Sequence, residues 1–250
     1  MKHDLKILAY DIERVPASGY HWGIWQQNIG INQLIEPGEM VSFAARWAHE
    51  PKREITFRST YHDGKLVMLD TLWTLLDEAD AVLGYNTVGF DNKHVNTEFA
   101  LAGYAPPSPA KQIDLMRVVK RQFKFLSNKL DFVADQLGVG RKVAHEGFGL
   151  WLKVMQGDAR AWERFRRYNE QDVHLLVDLY KRLLPWITNH PNVSLYGGSG
   201  CPKCGSSKLQ SRGYRTTLIG QYQRFHCQAC GAWSSSGKAA ERVDVRAYDN

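Results

Sequence analysis

Short apolar segments bounded by polar residues dominate the first third of the chain, whereas longer segments with helical spacing dominate the last third. These patterns predict antiparallel strands first, then alternation of strand and helix, and then mostly helix. The predicted strands cover residues 5–13, 39–47, 53–60 and 80–86, and the predicted helices cover residues 66–79, 128–138 and 159–185, with another beginning near Asp91. This order of elements indicates an α/β fold with a mixed sheet flanked by helices.

Two acidic residues end the first predicted strand, in the sequence ILAYDIERVP. Side chains two positions apart on a strand point to the same face, so Asp11 and Glu13 are expected to lie side by side. Two like charges at this spacing repel each other. Either the end of the strand is open to water, or a positive charge lies between the two carboxylates.

Composition and charge narrow the class of protein. The chain has 250 residues, of which 44% are hydrophobic, enough for one large domain and a small one. The sequence shows no signal-peptide pattern at its start and no apolar run near 18 residues, so we expect a soluble, cytoplasmic chain without a membrane partner. From Cys201 onward there are eight basic and three acidic residues, which indicates a polyanionic partner for this segment.

All four cysteines of the chain fall in one short segment, as CPKC and CQAC. Cys201 and Cys204 form the first pair and Cys227 and Cys230 the second, with 22 residues between the pairs. This spacing predicts one structural Zn²⁺ held by four thiolates in a zinc ribbon. Disulfides or free thiols are the alternative interpretation.

The segment HPNVSLYGGSG interrupts the last helical pattern with a proline and three glycines, which is typical of a linker. We therefore predict two domains joined by this segment. The predicted division is a first domain at residues 1–190, a linker at 191–200, the zinc ribbon at 201–236 and a tail at 237–250.

Later motifs extend the pattern of acids. Asp91 follows a predicted strand in NTVGFD, and Asp172 lies one helical turn after Tyr168 in YNEQD. Together with the Asp11-x-Glu13 motif, these segments resemble the three exonuclease motifs of the ribonuclease H-like DEDD exonucleases, over about residues 5–185. The family's histidine subclass carries His five residues before the last acid, where this chain has Arg167, so the chain resembles the tyrosine subclass.

The resemblance implies a ribonuclease H-like fold and a 3′–5′ exonuclease that hydrolyses single-stranded nucleic acid, with DNA favoured over RNA, by a two-metal mechanism. The implied ligands of two Mg²⁺ or Mn²⁺ ions are Asp11, Glu13, Asp91 and Asp172. Tyr168 would position or deprotonate the attacking water, and Asn86 and Phe90 would contact the substrate. The positive charge between Asp11 and Glu13 would then be metal.

Two other functions stay open from the sequence. One is a ribonuclease H-like structure-specific endonuclease or nicking enzyme, and the other is a non-catalytic adaptor that binds nucleic acid. The ribbon follows Asp172, whereas in transposon-type nucleases we expect it before the last acid, so the order favours the exonuclease. The oligomeric state is unknown from the sequence. Asp114 is predicted to cap the helix that follows it, with a role in the site as the alternative.

Overall fold

The computed structural model describes residues 4–141, 146–197 and 200–245. Its strands are β1 (Ile7–Arg14), β2 (Ser18–Gly19), β3 (Leu34–Glu36), β4 (Met40–Trp47), β5 (Thr56–Ser59), β6 (Ala81–Gly84), β7 (Lys111–Asp114), β8 (Leu209–Thr216), β9 (Gly220–Cys227), β10 (Trp233–Ser235) and β11 (Glu241–Arg242). Its helices are α1 (Lys65–Asp77), α2 (Asp91–Leu101), α3 (Leu115–Gln122), α4 (Leu130–Gln136), α5 (Phe148–Met155) and α6 (Ala159–Leu183). Parts of the predicted first domain, linker and tail, at residues 1–3, 142–145, 198–199 and 246–250, lie outside the described residues.

A mixed sheet of five strands, in the order β5-β4-β1-β6-β7, forms the centre of the larger unit. Strand β4 pairs antiparallel with β1 and β5, whereas β6 pairs parallel with β1 and β7. The predicted α/β class is therefore confirmed. Strand β7 was not predicted, because a four-residue strand at the edge of the sheet carries little hydrophobic pattern.

Strand β1 separates two layers of side chains. Leu8, Tyr10 and Ile12 point to one face, where they pack in a buried cluster with apolar residues of α1 and α2. Because side chains alternate along a strand, Asp11 and Glu13 point to the opposite face. Helix α6 packs on that face, so the two half-buried acids at the end of β1 are directed toward a helix.

The described chain divides into two compact units. Residues Lys6–Leu179 form one unit, and the chain from Tyr180 onward, with the residues before Lys6, forms the other. This boundary lies within α6, earlier than the domain end predicted at residue 190. Among the described residues, no helix combines the length and the apolar character needed to cross a bilayer.

The second unit contains a small antiparallel sheet in which β8, β10 and β11 all pair with β9. Strand β11 pairs Glu241 with Gln221 and Arg242 with Gly220, so this sheet extends beyond residue 236, the end predicted for the ribbon. The start of the predicted linker is also structured, because Val193–Leu195 forms a 3₁₀ turn and the Val193 amide donates to the Pro202 carbonyl at 2.8 Å.

Candidate active site and cysteine cluster

Three of the predicted acids meet between β1 and α6. Carboxylate oxygens of Asp11, Glu13 and Asp172 lie within 4.8 Å of one another. Asp172 is buried in the middle of α6, whereas Asp11 and Glu13 are half-buried at the end of β1. The packing of α6 on the sheet thus brings Asp172 next to Asp11 and Glu13, which precede it by 161 and 159 positions in the sequence.

Tyr168 lies one helical turn before Asp172 on the same face of α6, as the spacing predicts. Its side chain is half-buried, and its ring meets the Trp151 ring edge-on with 6.1 Å between centroids. Trp151 is itself fixed, because its Nε1 donates to the Arg14 carbonyl at 3.0 Å, just after the two acids of β1. The tyrosine ring is therefore braced by a tryptophan that is bonded to the same strand as Asp11 and Glu13.

Asn169 orients Asp11, a role that was not predicted from the sequence. Its Nδ2 donates to Asp11 Oδ2 at 2.9 Å and to the Asp11 carbonyl at 3.3 Å, and its Oδ1 accepts from Ser42 Oγ at 3.2 Å. The side chain is fully buried. One signal for it exists in the sequence, because Asn169 precedes Asp172 by three positions and so shares a helix face with it.

The turn between β6 and α2 places Asp91. Strand β6 ends at Gly84, where a Cβ atom would lie 1.4 Å from Thr87 Oγ1, so only glycine lets the buried Thr87 side chain pack there. Asn86 adopts a left-handed conformation with φ of 65°, which asparagine tolerates better than most residues. Its carbonyl accepts from the amides of Gly89 and Phe90, and this tight turn starts α2 at Asp91.

Asp91 approaches the site from the other face of the sheet and lies outside the group of three carboxylates. The parallel pairing of β6 with β1 covers Ile7 to Ala9, and beyond it Asp91 Oδ1 reaches the Ile12 amide at 3.4 Å. This amide lies between Asp11 and Glu13 in the chain. Burial, together with the negative charges of Asp91 and then Asp11, raises the pKa of Tyr10 well above its ordinary value.

The two predicted substrate contacts lie in the same turn. Phe90 is partly exposed directly before Asp91, and its ring packs edge-on against His94 with centroids 4.5 Å apart. The Asn86 amide donates to Asp114 Oδ1 at 3.0 Å. Asp114 also accepts from the Met116 and Arg117 amides as the cap of α3, so the predicted cap is confirmed.

The three-carboxylate group has the chemistry of a metal site. Two carboxylates about 4 Å apart repel each other by on the order of 4 kcal/mol at an effective dielectric constant of 20. A divalent cation between them replaces this repulsion with attraction, and hard oxygen ligands are those that Mg²⁺ and Mn²⁺ prefer. The group formed by Asp11, Glu13 and Asp172 could therefore hold a divalent metal ion.

The four cysteines form a second group that could hold a metal. Cys201 Sγ lies 3.7 Å from Cys230 Sγ, and Cys204 Sγ lies 3.6 Å from Cys227 Sγ. Four sulfurs about 2.3 Å from a zinc ion would be separated by about 3.8 Å in a tetrahedron, which fits these distances. The cluster and the small sheet around it are consistent with a zinc ribbon.

Contacts within the cysteine cluster lower the pKa of the Cys227 thiol, which favours metal binding. Burial raises its pKa, but backbone N–H donors from Cys230 and Ala229, together with the side chains of Cys204 and Cys230, lower it to about 7. A thiol with this pKa is readily deprotonated at neutral pH, and the thiolate is the form that binds a metal. Backbone amides directed at a cysteine sulfur thus favour the charged ligand.

A family profile for the RNase H superfamily matches residues 38–184, more than half of the 250 residues. The chain belongs to the RNase H superfamily. The superfamily match includes Asp91, Tyr168 and Asp172, whereas Asp11 and Glu13 precede it. In the structure, Asp11 and Glu13, which precede the matched region, lie next to Asp172, which belongs to it.

A DNA polymerase-named protein of Frog virus 3 (isolate Goorha), 060R, is similar to part of this RNase H superfamily chain. The two are 26% identical over an alignment of 140 residues, and the match covers 42% of this chain and 14% of that protein. The chain thus spans about a seventh of the length of this curated relative.

Replacement of Asn169 by alanine is expected to weaken binding of Mn²⁺ at the acidic group. Residues that orient a metal ligand typically change metal affinity by 10- to 100-fold when removed, so we expect a loss on the order of tenfold or more. Titration with Mn²⁺, followed by electron paramagnetic resonance of the free ion, measures the affinity.

Gln171→Ala is the matched control, because it removes another amide from the same helix two positions away. Ser42→Ala, which removes only the bond from Ser42 to the Asn169 side chain, should give a smaller loss. Circular dichroism checks that each variant is folded. Equal Mn²⁺ affinities for the folded Asn169→Ala variant and the wild type would contradict a role for Asn169 in orienting Asp11.

Proposed function

We propose that this protein is a metal-dependent 3′–5′ exonuclease that hydrolyses phosphodiester bonds of single-stranded nucleic acid, with DNA favoured over RNA. The observation that carries the proposal is the convergence of Asp11 and Glu13 from β1 with Asp172 from α6. Membership in the RNase H superfamily supports a nuclease-like function for this group of acids.

Two divalent cations would supply the charge that stabilises the developing oxyanions and would acidify the attacking water. We assign Asp11, Glu13 and Asp172 as their ligands, with Asp91 completing the set from the other face of the sheet. The hydroxyl of Tyr168 would hold the water in line with the leaving oxygen, because an ordinary phenol with a pKa near 10 is a weak base at neutral pH. Asn86 and Phe90 would contact the terminal nucleotide.

The direction of cleavage and the sugar preference rest on similarity. The Asp-x-Glu and Tyr-x-x-x-Asp motifs resemble those of 3′–5′ exonucleases of the DEDD tyrosine subclass, which supports action at 3′ ends. The viral relative is named as a DNA polymerase, which supports DNA as the substrate. A structure-specific endonuclease and a non-catalytic adaptor are the competing functions that the experiments below separate.

We also propose that the cysteine cluster holds one structural zinc ion and that the ribbon helps to bind the substrate. In this proposal the first unit carries the chemistry, and the ribbon, whose sheet continues past residue 236 to β11, belongs to the second unit. The Sγ distances support zinc, and the basic excess after Cys201 supports contact with a polyanion.

A time course on end-labelled strands tests the activity. With Mg²⁺ or Mn²⁺, a 5′-labelled linear DNA strand should shorten progressively from its 3′ end, and a closed circular single strand should stay intact. Asp172→Asn should lower the rate by a factor of at least about a thousand, because it removes a charged ligand whose transition-state role is worth several kcal/mol.

Three outcomes would contradict the proposal. Cleavage of the circular strand would indicate an endonuclease, and shortening from the 5′ end would reverse the polarity. Binding of strands without any cleavage by the wild-type protein would indicate an adaptor. The control is Asp178→Asn, which makes the same change at another position on α6, away from the group of three carboxylates.

Tyr168→Phe should lower the single-turnover rate roughly 10- to 1,000-fold, a smaller loss than that of Asp172→Asn. The carboxylates remain in this variant, so the affinity for metal and for strands should change little. Rapid-quench measurements at saturating metal give the rate of the chemical step. A wild-type rate in Tyr168→Phe would mean that the hydroxyl has no part in catalysis and that Tyr168 serves only to pack against Trp151.

The purified chain should contain one zinc ion, because four thiolates at these distances form a closed tetrahedral site. Elemental analysis by plasma mass spectrometry measures the content. Cys227→Ser should lose most of the zinc and lower the melting temperature, since a small sheet with little core depends on its metal for stability. Disulfides in place of zinc would appear as a zinc-free protein without titratable thiols.

A further inference from the structure

One face of the small β8–β11 sheet concentrates arginine and aromatic side chains. Along β9, Arg224 and His226 point to the same face, and Trp233 of β10 pairs directly opposite His226. Arg215 of β8 pairs with Tyr222, two positions before Arg224, and so belongs to this face as well. Arginine and aromatic residues that alternate across neighbouring strands form a single continuous surface.

The side chains on this face are held in place by contacts with one another. The Arg224 guanidinium lies over the Trp233 ring at 5.0 Å, and the His226 ring lies 4.7 Å from it on centroids. Arg224 Nε also donates to the Arg212 carbonyl at 3.1 Å, which fixes the plane of the guanidinium. Even so, Trp233 keeps 49% of its surface exposed. The result is a prearranged and accessible stacking surface.

A groove of about 500 Å³ crosses the same sheet. Its lining includes Arg215, Arg224 and Trp233 of this face, together with their chain neighbours Tyr214, Thr216, Ser234 and Ser235. All its lining residues belong to the described part of the chain, and no carboxylate is among them. Strand alternation directs Glu241 to the opposite face, because it pairs with Gln221 rather than with its neighbour Tyr222.

This combination matches the chemistry of single-stranded nucleic acid. Arginine contacts phosphate, and both guanidinium planes and aromatic rings stack on bases that are not paired. An acidic peptide would use the arginines but would leave the exposed indole of Trp233 without a partner. A duplex would offer phosphates but would keep its bases stacked on one another and away from Trp233.

We infer that this surface, which we name the ribbon platform and define as Arg215, Arg224 and Trp233, binds single-stranded nucleic acid by base stacking and phosphate contact. The inference rests on the proposed function in one respect only, which is that the ligand is nucleic acid. It places a binding site for the strand in the second unit, whereas the acidic group belongs to the first unit.

Fluorescence anisotropy of a labelled twelve-nucleotide oligothymidine with the full-length protein, without added Mg²⁺ or Mn²⁺, tests the inference. Trp233→Ala should weaken binding roughly five- to a hundredfold, the typical effect of removing one base-stacking ring, and Trp233→Phe should restore most of the affinity. Arg215→Gln combined with Arg224→Gln should weaken binding and lower the slope of log affinity against log salt by about 1.4, at about 0.7 per phosphate contact.

Lys208→Gln combined with Lys238→Gln is the matched control, because it removes two exposed positive charges from the same unit but outside the platform. Zinc content, measured for every variant, shows whether the ribbon remains folded. Equal losses in the arginine and lysine double variants would overturn the platform in favour of general charge attraction. Undiminished binding by zinc-loaded Trp233→Ala would exclude stacking on Trp233.

The test is independent of catalysis. If the wild type fails to cleave any strand but the platform variants lose binding as expected, the exonuclease proposal fails and the platform stands. If the wild type cleaves 3′ ends and the platform variants bind as the wild type does, the platform is wrong and the exonuclease stands. A preference for duplex over oligothymidine in the wild type would also overturn the inference.

Discussion

The buried amide of Asn169 is the contact on which the geometry of the acidic group depends. It joins three elements at one point, because it donates to Asp11 on β1, accepts from Ser42 on β4 and belongs to α6. A polar side chain that is fully buried is costly unless its hydrogen bonds are made, so α6 has one favourable register on the sheet. That register also determines where Asp172 and Tyr168 lie.

The acids approach the end of β1 from both faces of the sheet. Asp11 and Glu13 project toward α6, whereas Asp91 begins α2 on the face that carries Tyr10. The end of β6 makes this possible, since β1 continues past its parallel partner and leaves an edge that Asp91 can reach. The negative charges of these acids are thus held close together by strands and helices whose stability comes from apolar packing on the two faces of the sheet.

Much of the fold was predictable because its strands and helices carry strong hydrophobic patterns. The mixed sheet, α1 and α6 followed from periodicity, and the cysteine cluster followed from spacing alone. Strand β7 and the pairing of β11 were not predicted, since two to four residues at a sheet edge leave little pattern. The role of Asn169 depends on a tertiary hydrogen bond, and the position of Asp91 outside the group of three depends on which face α2 covers. The spacing in the sequence places Asn169 on the face of α6 that carries Asp172, but it shows neither the hydrogen bond nor the position of α2.

The glycine that ends β6 restricts how this sequence can vary. A Cβ at position 84 would overlap both the hydroxyl and the Cβ of Thr87, at 1.4 and 2.5 Å. Removing the hydroxyl alone would therefore not make room for a methyl group. Positions 84 and 87 share one space, and that space has room for a side chain at only one of them. In related chains the two positions should therefore change together, with alanine at one accompanied by glycine at the other.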